Sequence, residues 1–194
     1  AWGYARAADS LGVDILQKKK NNINTRKNGS NESIQTSRGT IKGKKVGILL
    51  DSSSSMTDEK LIDIIKRKTQ SDENIKKGPK WQRTIRIVKW LLARLPNDSR
   101  VTVVKFSNNG KILGEKNWYN NNSKDLSSLY AEVNRVIPKN ATNLDAAFSA
   151  ISKMNDKPDE IFLITDGLPT IGDKNTDTSF FSNCKFFYSS KRPE

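Results

Sequence analysis

The sequence predicts an α/β domain built on an open, mostly parallel sheet with helices on both faces. Three observations predict it. The runs 46–50 and 161–164 are continuously apolar, as strands buried on both faces must be, and 101–106 reads as a further strand. Segments of helical period separate them, the alternation expected of parallel strands joined by crossovers. Two of the runs also lead into aspartates, Asp51 and Asp166, at the strand ends where such sheets bind ligands.

The elements follow in chain order. Residues 1–11, stopped by Gly12, read as the end of a helix, and 13–16 as a short strand. Asn28-Gly29 is a turn signal before the weakly alternating stretch 33–41, so residues 1–44 form a basic segment carrying a β-hairpin. After the run 46–50 comes DSSSSM, and Thr57 is placed to cap a helix reaching about Arg67. The polar stretch 66–80 is long for a connection and reads as a mobile insertion, broken by Gly78-Pro79. Trp81, Ile85, Val88, Leu92 and Leu95 recur at steps of four and three, an amphipathic helix ended by Pro96. Asn109-Gly110 turns the second strand into a short third one around Ile112 and Leu113. Ser123 can cap a helix bearing Leu126, Leu129, Tyr130, Val133 and Val136. The loop 139–143 then feeds a helix with Leu144, Phe148 and Ile151 inward. Beyond Ile171 no helical period returns. Phe187 and Tyr188 fit a short strand, residues 176–194 otherwise read as an irregular tail, and the sheet is left with an uncovered face or edge.

Composition narrows the function. The 194 residues contain no histidine and a single cysteine, Cys184, which removes Ser-His-Asp and Cys-His chemistry, a disulfide framework and the usual zinc ligands. The net charge is +13, and ten Lys or Arg against three Asp or Glu between Ala1 and Lys45 place +7 of it in the first quarter. Neither aromatic interleaving nor a nucleic-acid motif accompanies the densest run, Lys18 to Lys20, so a solvated basic face is favoured over nucleic-acid binding. No apolar run approaches the roughly 20 residues that span a bilayer. The chain starts without Met or a signal-like segment and reads as a fragment or processed product.

The candidate site is assembled from three segments. Asp51, Ser53 and Ser55 stand at every second position after a strand, and in an extended segment they share a side. The loop Asn140-Ala141-Thr142-Asn143 brings a hydroxyl to a helix start, and Asp166-Gly167 follows the last apolar strand. Each has an ordinary reading: serines as loop, Thr142 as helix cap, Asp166 as turn. Together at one sheet edge they supply carboxylate and hydroxyl oxygens suited to a hard cation, Mg²⁺ or Mn²⁺, with one position open to water or to an acidic group from a partner.

ILLDSSSSM, NATNLDAAF and IFLITDGLPT resemble the three segments of the metal-ion-dependent adhesion site of von Willebrand factor type A domains, over roughly residues 45–170. The resemblance implies a Rossmann-like, non-enzymatic module that binds Mg²⁺ (or Mn²⁺) through Asp51, Ser53, Ser55, Thr142 and Asp166, and through the ion a carboxylate of a protein partner. Ser54 stands where many members have glycine. The family pattern also implies a domain of residues 45–175 that lacks its closing helix. A different resemblance lies at the start: AWGYARAADSLGVDIL and TSRGTIKGKKVGI are similar to part of the FAD-dependent amine oxidoreductases related to the sarcosine oxidase beta subunit. It includes no GxGxxG loop. The chain reads as two families joined at a shared strand, and a fragment of an FAD-dependent sarcosine oxidase-like oxidoreductase is the alternative function.

Overall fold

The computed structural model describes residues 41–167 and the backbone of the strand Cys184–Tyr188. The expected N-terminal helix, short strand and β-hairpin lie outside the described residues. Among the described residues six strands form one sheet: β1 (Lys45–Asp51), β2 (Arg100–Phe106), β3 (Gly110–Ile112), β4 (Tyr119–Asn120), β5 (Glu160–Thr165) and β6 (Cys184–Tyr188). Their order is β3-β2-β1-β5-β6, with β4 also paired to β2. β1 lies parallel between β2 and β5, with Asp51 opposite Phe106 and Leu50 opposite Ile164, and β6 runs parallel to β5. Only β3 and β4 are antiparallel, both to β2. The sheet is thus mostly parallel, as the apolar runs predict.

Side-chain alternation sends successive residues of β1 to opposite faces. Val46, Ile48 and Leu50 join Val101, Val103, Phe162 and Ile164 in one core. Helices α3 (Pro79–Ala93) and α4 (Ser123–Arg135) cover it with Trp81, Ile85, Val88, Leu92, Leu126, Leu129 and Val133. On the other face Leu49, Val104, Phe106 and Leu163 pack with Phe148 and Ile151 of α5 (Leu144–Ser152). Gly110 permits a close approach there, since a Cβ on it would stand 2.2 Å from the Ala146 carbonyl oxygen. Among the described residues no helix is long and apolar enough to cross a membrane.

Several boundaries differ from expectation for local reasons. Thr57 does not cap a helix. Its hydroxyl closes a 3-10 turn, Ser54–Met56, by donating to the Ser54 carbonyl, and α1 spans Leu61–Lys68. The stretch expected to be a mobile insertion is folded: it holds the end of α1, the short helix α2 (Asp72–Lys76) and the start of α3. Arg67 anchors it with two hydrogen bonds to buried Asp58. Pro79 occupies the first turn of α3, where a missing N–H costs nothing. That helix ends at Ala93, because the residue before Pro96 disfavours helical geometry. The caps of α4 and α5 are Asn122 and Asn143, whose side chains accept from Asp125 N and Ala146 N, in place of Ser123 and Thr142.

Packing also continues on both sides of residues 45–175. Ile41 is buried in the core, and the backbone N–H groups of Lys42 and Gly43 donate to the Glu160 carboxylate at 2.9 and 2.7 Å. Within the tail expected to be irregular, residues Cys184–Tyr188 form β6, which includes the strand expected at Phe187 and Tyr188 and gives β5 a neighbour on its outer side.

Candidate metal site

The site grows from the end of β1. Beyond Asp51 the β1–β2 ladder continues for one residue, where Ser52 N and Ser52 Oγ both donate to the Phe106 carbonyl. Ser53 is still extended, but Ser54 enters the 3-10 turn. Asp51 and Ser53 therefore follow strand alternation, whereas Ser55 is brought round by the turn. Ser53 Oγ and Ser55 Oγ meet at 2.9 Å. The convergence expected from spacing is present, and a turn produces half of it.

The second segment docks on the first through backbone. Lys139 N donates to the Ser52 carbonyl at 2.8 Å, and Ser54 N to the Asn140 carbonyl at 2.9 Å. Asn140 adopts φ 74°, a left-handed conformation that asparagine tolerates better than most residues. From the other side Asn143 N donates to the Ser107 carbonyl, and Ala141 N to Asn108 Oδ1. Thr142 is thereby held, buried, between the serine run and the loop after β2. The cap of α5 is supplied by Asn143.

The third segment closes the set. Ser55 Oγ donates to Asp166 Oδ1 at 3.1 Å, and Thr165 Oγ1 to Asp51 Oδ2 at 2.7 Å. Asp51 Oδ1 accepts from Ser53 N at 2.9 Å. Burial pushes the Asp51 carboxyl up to about 6; the Ser53 N–H and the Thr165 and Ser53 hydroxyls oppose that rise, and the negative charge of Asp166 adds a smaller push. A buried carboxylate in that condition gains from a nearby positive charge.

Asp51, Ser53, Ser55 and Asp166 are thus linked by hydrogen bonds, with Thr142 on a loop clamped against them. Among the described residues no group of three or more Asp, Glu, His or Cys side chains is suited to a metal. A cation site at this edge therefore depends on hydroxyl oxygens beside two carboxylates, a donor set that fits Mg²⁺ or Mn²⁺ and does not fit a soft metal.

Besides Thr165, a second residue at the site is absent from the sequence-based set. Lys80, placed by its sequence in the polar stretch before α3, is buried, and its Nζ donates to Asp166 Oδ2 at 2.8 Å and to the Ser55 carbonyl at 2.8 Å. A signal existed: Lys80 stands four residues before Thr84 and seven before Ile87, on the buried stripe of α3.

Residues 46–168 match the family described as von Willebrand factor type A domain. Among solved structures, a von Willebrand factor type A protein from Catenulispora acidiphila is similar at 14% identity and TM-score 0.46, over 73% of this chain and 32% of that one. The three N-terminal domains of the type V pili tip protein Mfa5 from Porphyromonas gingivalis align at 23% identity and TM-score 0.39, over 70% of this chain and 22% of that one. A short stretch of 59 residues is 44% identical to the sarcosine oxidase subunit beta of Rhizobium meliloti (strain 1021), covering 30% of this chain and only 14% of that protein. The sheet order, the oxygen-rich edge of β1 and β5 and the match over residues 46–168 lead to one assignment: the chain belongs to the von Willebrand factor type A domain family.

Proposed function

We propose that the domain is a non-enzymatic, metal-dependent protein-binding module. Asp51, Ser53, Ser55, Thr142 and Asp166 would hold Mg²⁺ or Mn²⁺, and a carboxylate of the partner protein would complete the shell. A bound divalent ion would supply the electrostatic attraction for that carboxylate. The chain's own residues do the rest: Thr165 and Ser53 orient the Asp51 carboxylate, the Ser54–Asn140 backbone bond holds the Thr142 loop in place, and Ser55 sets Asp166. The observation that carries the reading is the hydrogen-bonded chain Ser53–Ser55–Asp166, which joins residues 111 positions apart into one oxygen cluster.

The test is a Mg²⁺ titration followed by thermal melting and calorimetry. Saturable binding that Asp51→Ala abolishes supports the reading, and an equal response from both proteins sinks it. The 59-residue similarity to sarcosine oxidase subunit beta favours the second reading, a fragment of an FAD-dependent oxidoreductase. Purified protein carrying stoichiometric flavin absorbance would establish that alternative.

A further inference from the structure

Lys80 is a cation the donor set does not require. Its side chain is 5% exposed, and its ammonium touches both Asp166 and the Ser55 carbonyl, with Glu59 Oε2 at 3.9 Å. The backbone is pinned as well, since Lys80 N donates to the Thr57 carbonyl at 3.0 Å. The helix itself does not favour this residue: a lysine in the first turn of α3 opposes the helix dipole. The neighbouring carboxylates are paired as well, Asp58 with Arg67 and Glu59 with Arg83 more closely than with Lys80. Of the two carboxylates in the donor set, Asp166 is the one paired with a fixed positive charge among the described residues, that of Lys80.

Resting on the metal-site reading above, we propose that Lys80 is a positioning residue and built-in counter-cation of the site, holding Asp166 against Ser55 while weakening the grip on a divalent ion. With Asp51 and Asp166 alone, a divalent ion would be neutralised. With Lys80 in place, the loaded site keeps one net positive charge. Little water screens that charge at a buried edge, so an acidic group from a partner is the group that completes its neutralisation. Lys80 thus makes metal and anionic partner depend on each other.

The test is calorimetric titration of the full chain with Mn²⁺, comparing wild type, Lys80→Gln and Lys80→Arg. Glutamine keeps an N–H donor toward Asp166 and removes the charge, whereas arginine keeps the charge. Lys80→Gln should bind Mn²⁺ about tenfold more tightly or better, with Lys80→Arg close to wild type. A glutamine variant that binds equally or more weakly overturns the inference while leaving the metal site standing. Absence of Mn²⁺ binding by wild type overturns the metal-site reading itself. A wild-type measurement guards against a variant that fails to fold: acetate should tighten Mn²⁺ binding relative to chloride at equal ionic strength, and indifference to acetate overturns the inference.

Discussion

Thr165 Oγ1 donates a 2.7 Å hydrogen bond to Asp51 Oδ2, so the last residue of β5 orients the carboxylate at the end of β1. The bond crosses between adjacent parallel strands and ties two of the three site segments together. It also leaves the Asp51 carboxylate buried, with dipoles but no cation among its hydrogen-bond partners in the described residues.

A pH dependence follows. The Asp51 carboxyl lies at about 6 in the folded chain against an ordinary 3.8, so the native state binds this proton more tightly than the unfolded state does. The associated stability is fully present below about pH 4 and is lost as pH rises through about 6, by roughly 3 kcal/mol in all. With a chelator present, urea denaturation of wild type minus that of Asp51→Asn should show this loss between about pH 4 and 7. A difference that stays flat over that range contradicts the assignment. The carboxyls of Asp125 and Asp156 are held below the usual range by hydrogen bonds, respectively from Asn120 N and Lys45 foremost, and act in the opposite sense at lower pH, which is why the difference is the quantity to measure.

Metal should stabilise the fold through the same carboxylate. Mg²⁺ at about 100 times its dissociation constant adds roughly 2.7 kcal/mol to a native state that alone binds it. Asp51→Ala should lose most of the resulting rise in melting temperature. Ser54→Gly should keep it, because Ser54 contributes its backbone N–H to Asn140 and that group survives.

The N-terminal boundary can be measured by paired truncations. Removing residues 1–40 should leave Mg²⁺ affinity nearly unchanged. Removing three further residues, through Gly43, takes buried Ile41 from the core and two N–H donors from the buried Glu160 carboxylate. The second truncation should therefore cost about 2 kcal/mol or more in chemical denaturation. Equal stability of the two would show that the docked segment contributes nothing.

Gly78 sets how closely the start of α3 approaches the serine turn. A Cβ there would stand 2.5 Å from the Thr57 carbonyl oxygen, which is backbone and cannot swing aside. Gly78→Ala should destabilise by about 1–3 kcal/mol. Gly167→Ala is the control, because a Cβ on Gly167 would meet nothing within 4 Å, and comparable losses at both sites would refute the steric account.

Much of the architecture was legible because element type is encoded locally. The runs around Leu49 and Leu163 are apolar without interruption, and only strands covered on both faces need that. The capping residues were less legible, since Asn122 and Asn143 sit one residue from Ser123 and Thr142 and either type can accept from the first helical N–H groups. Charge misled most. The stretch 66–80 has the composition of a solvated connection, yet it is folded around the Asp58–Arg67 pair and carries Lys80 into the site.

By itself the sequence determined that parallel strands would end in Asp51 and Asp166 with hydroxyls close by, because strand burial and residue spacing are properties of short segments. Tertiary structure alone decided that a 3-10 turn would bring Ser55 to Ser53, that Thr165 would hold Asp51, and that Lys80 would reach Asp166 across 86 residues. These contacts depend on which strands become neighbours and on how α3 enters its face of the sheet. No local period records such pairings, since their free energy arises only when distant segments exclude water from the same edge.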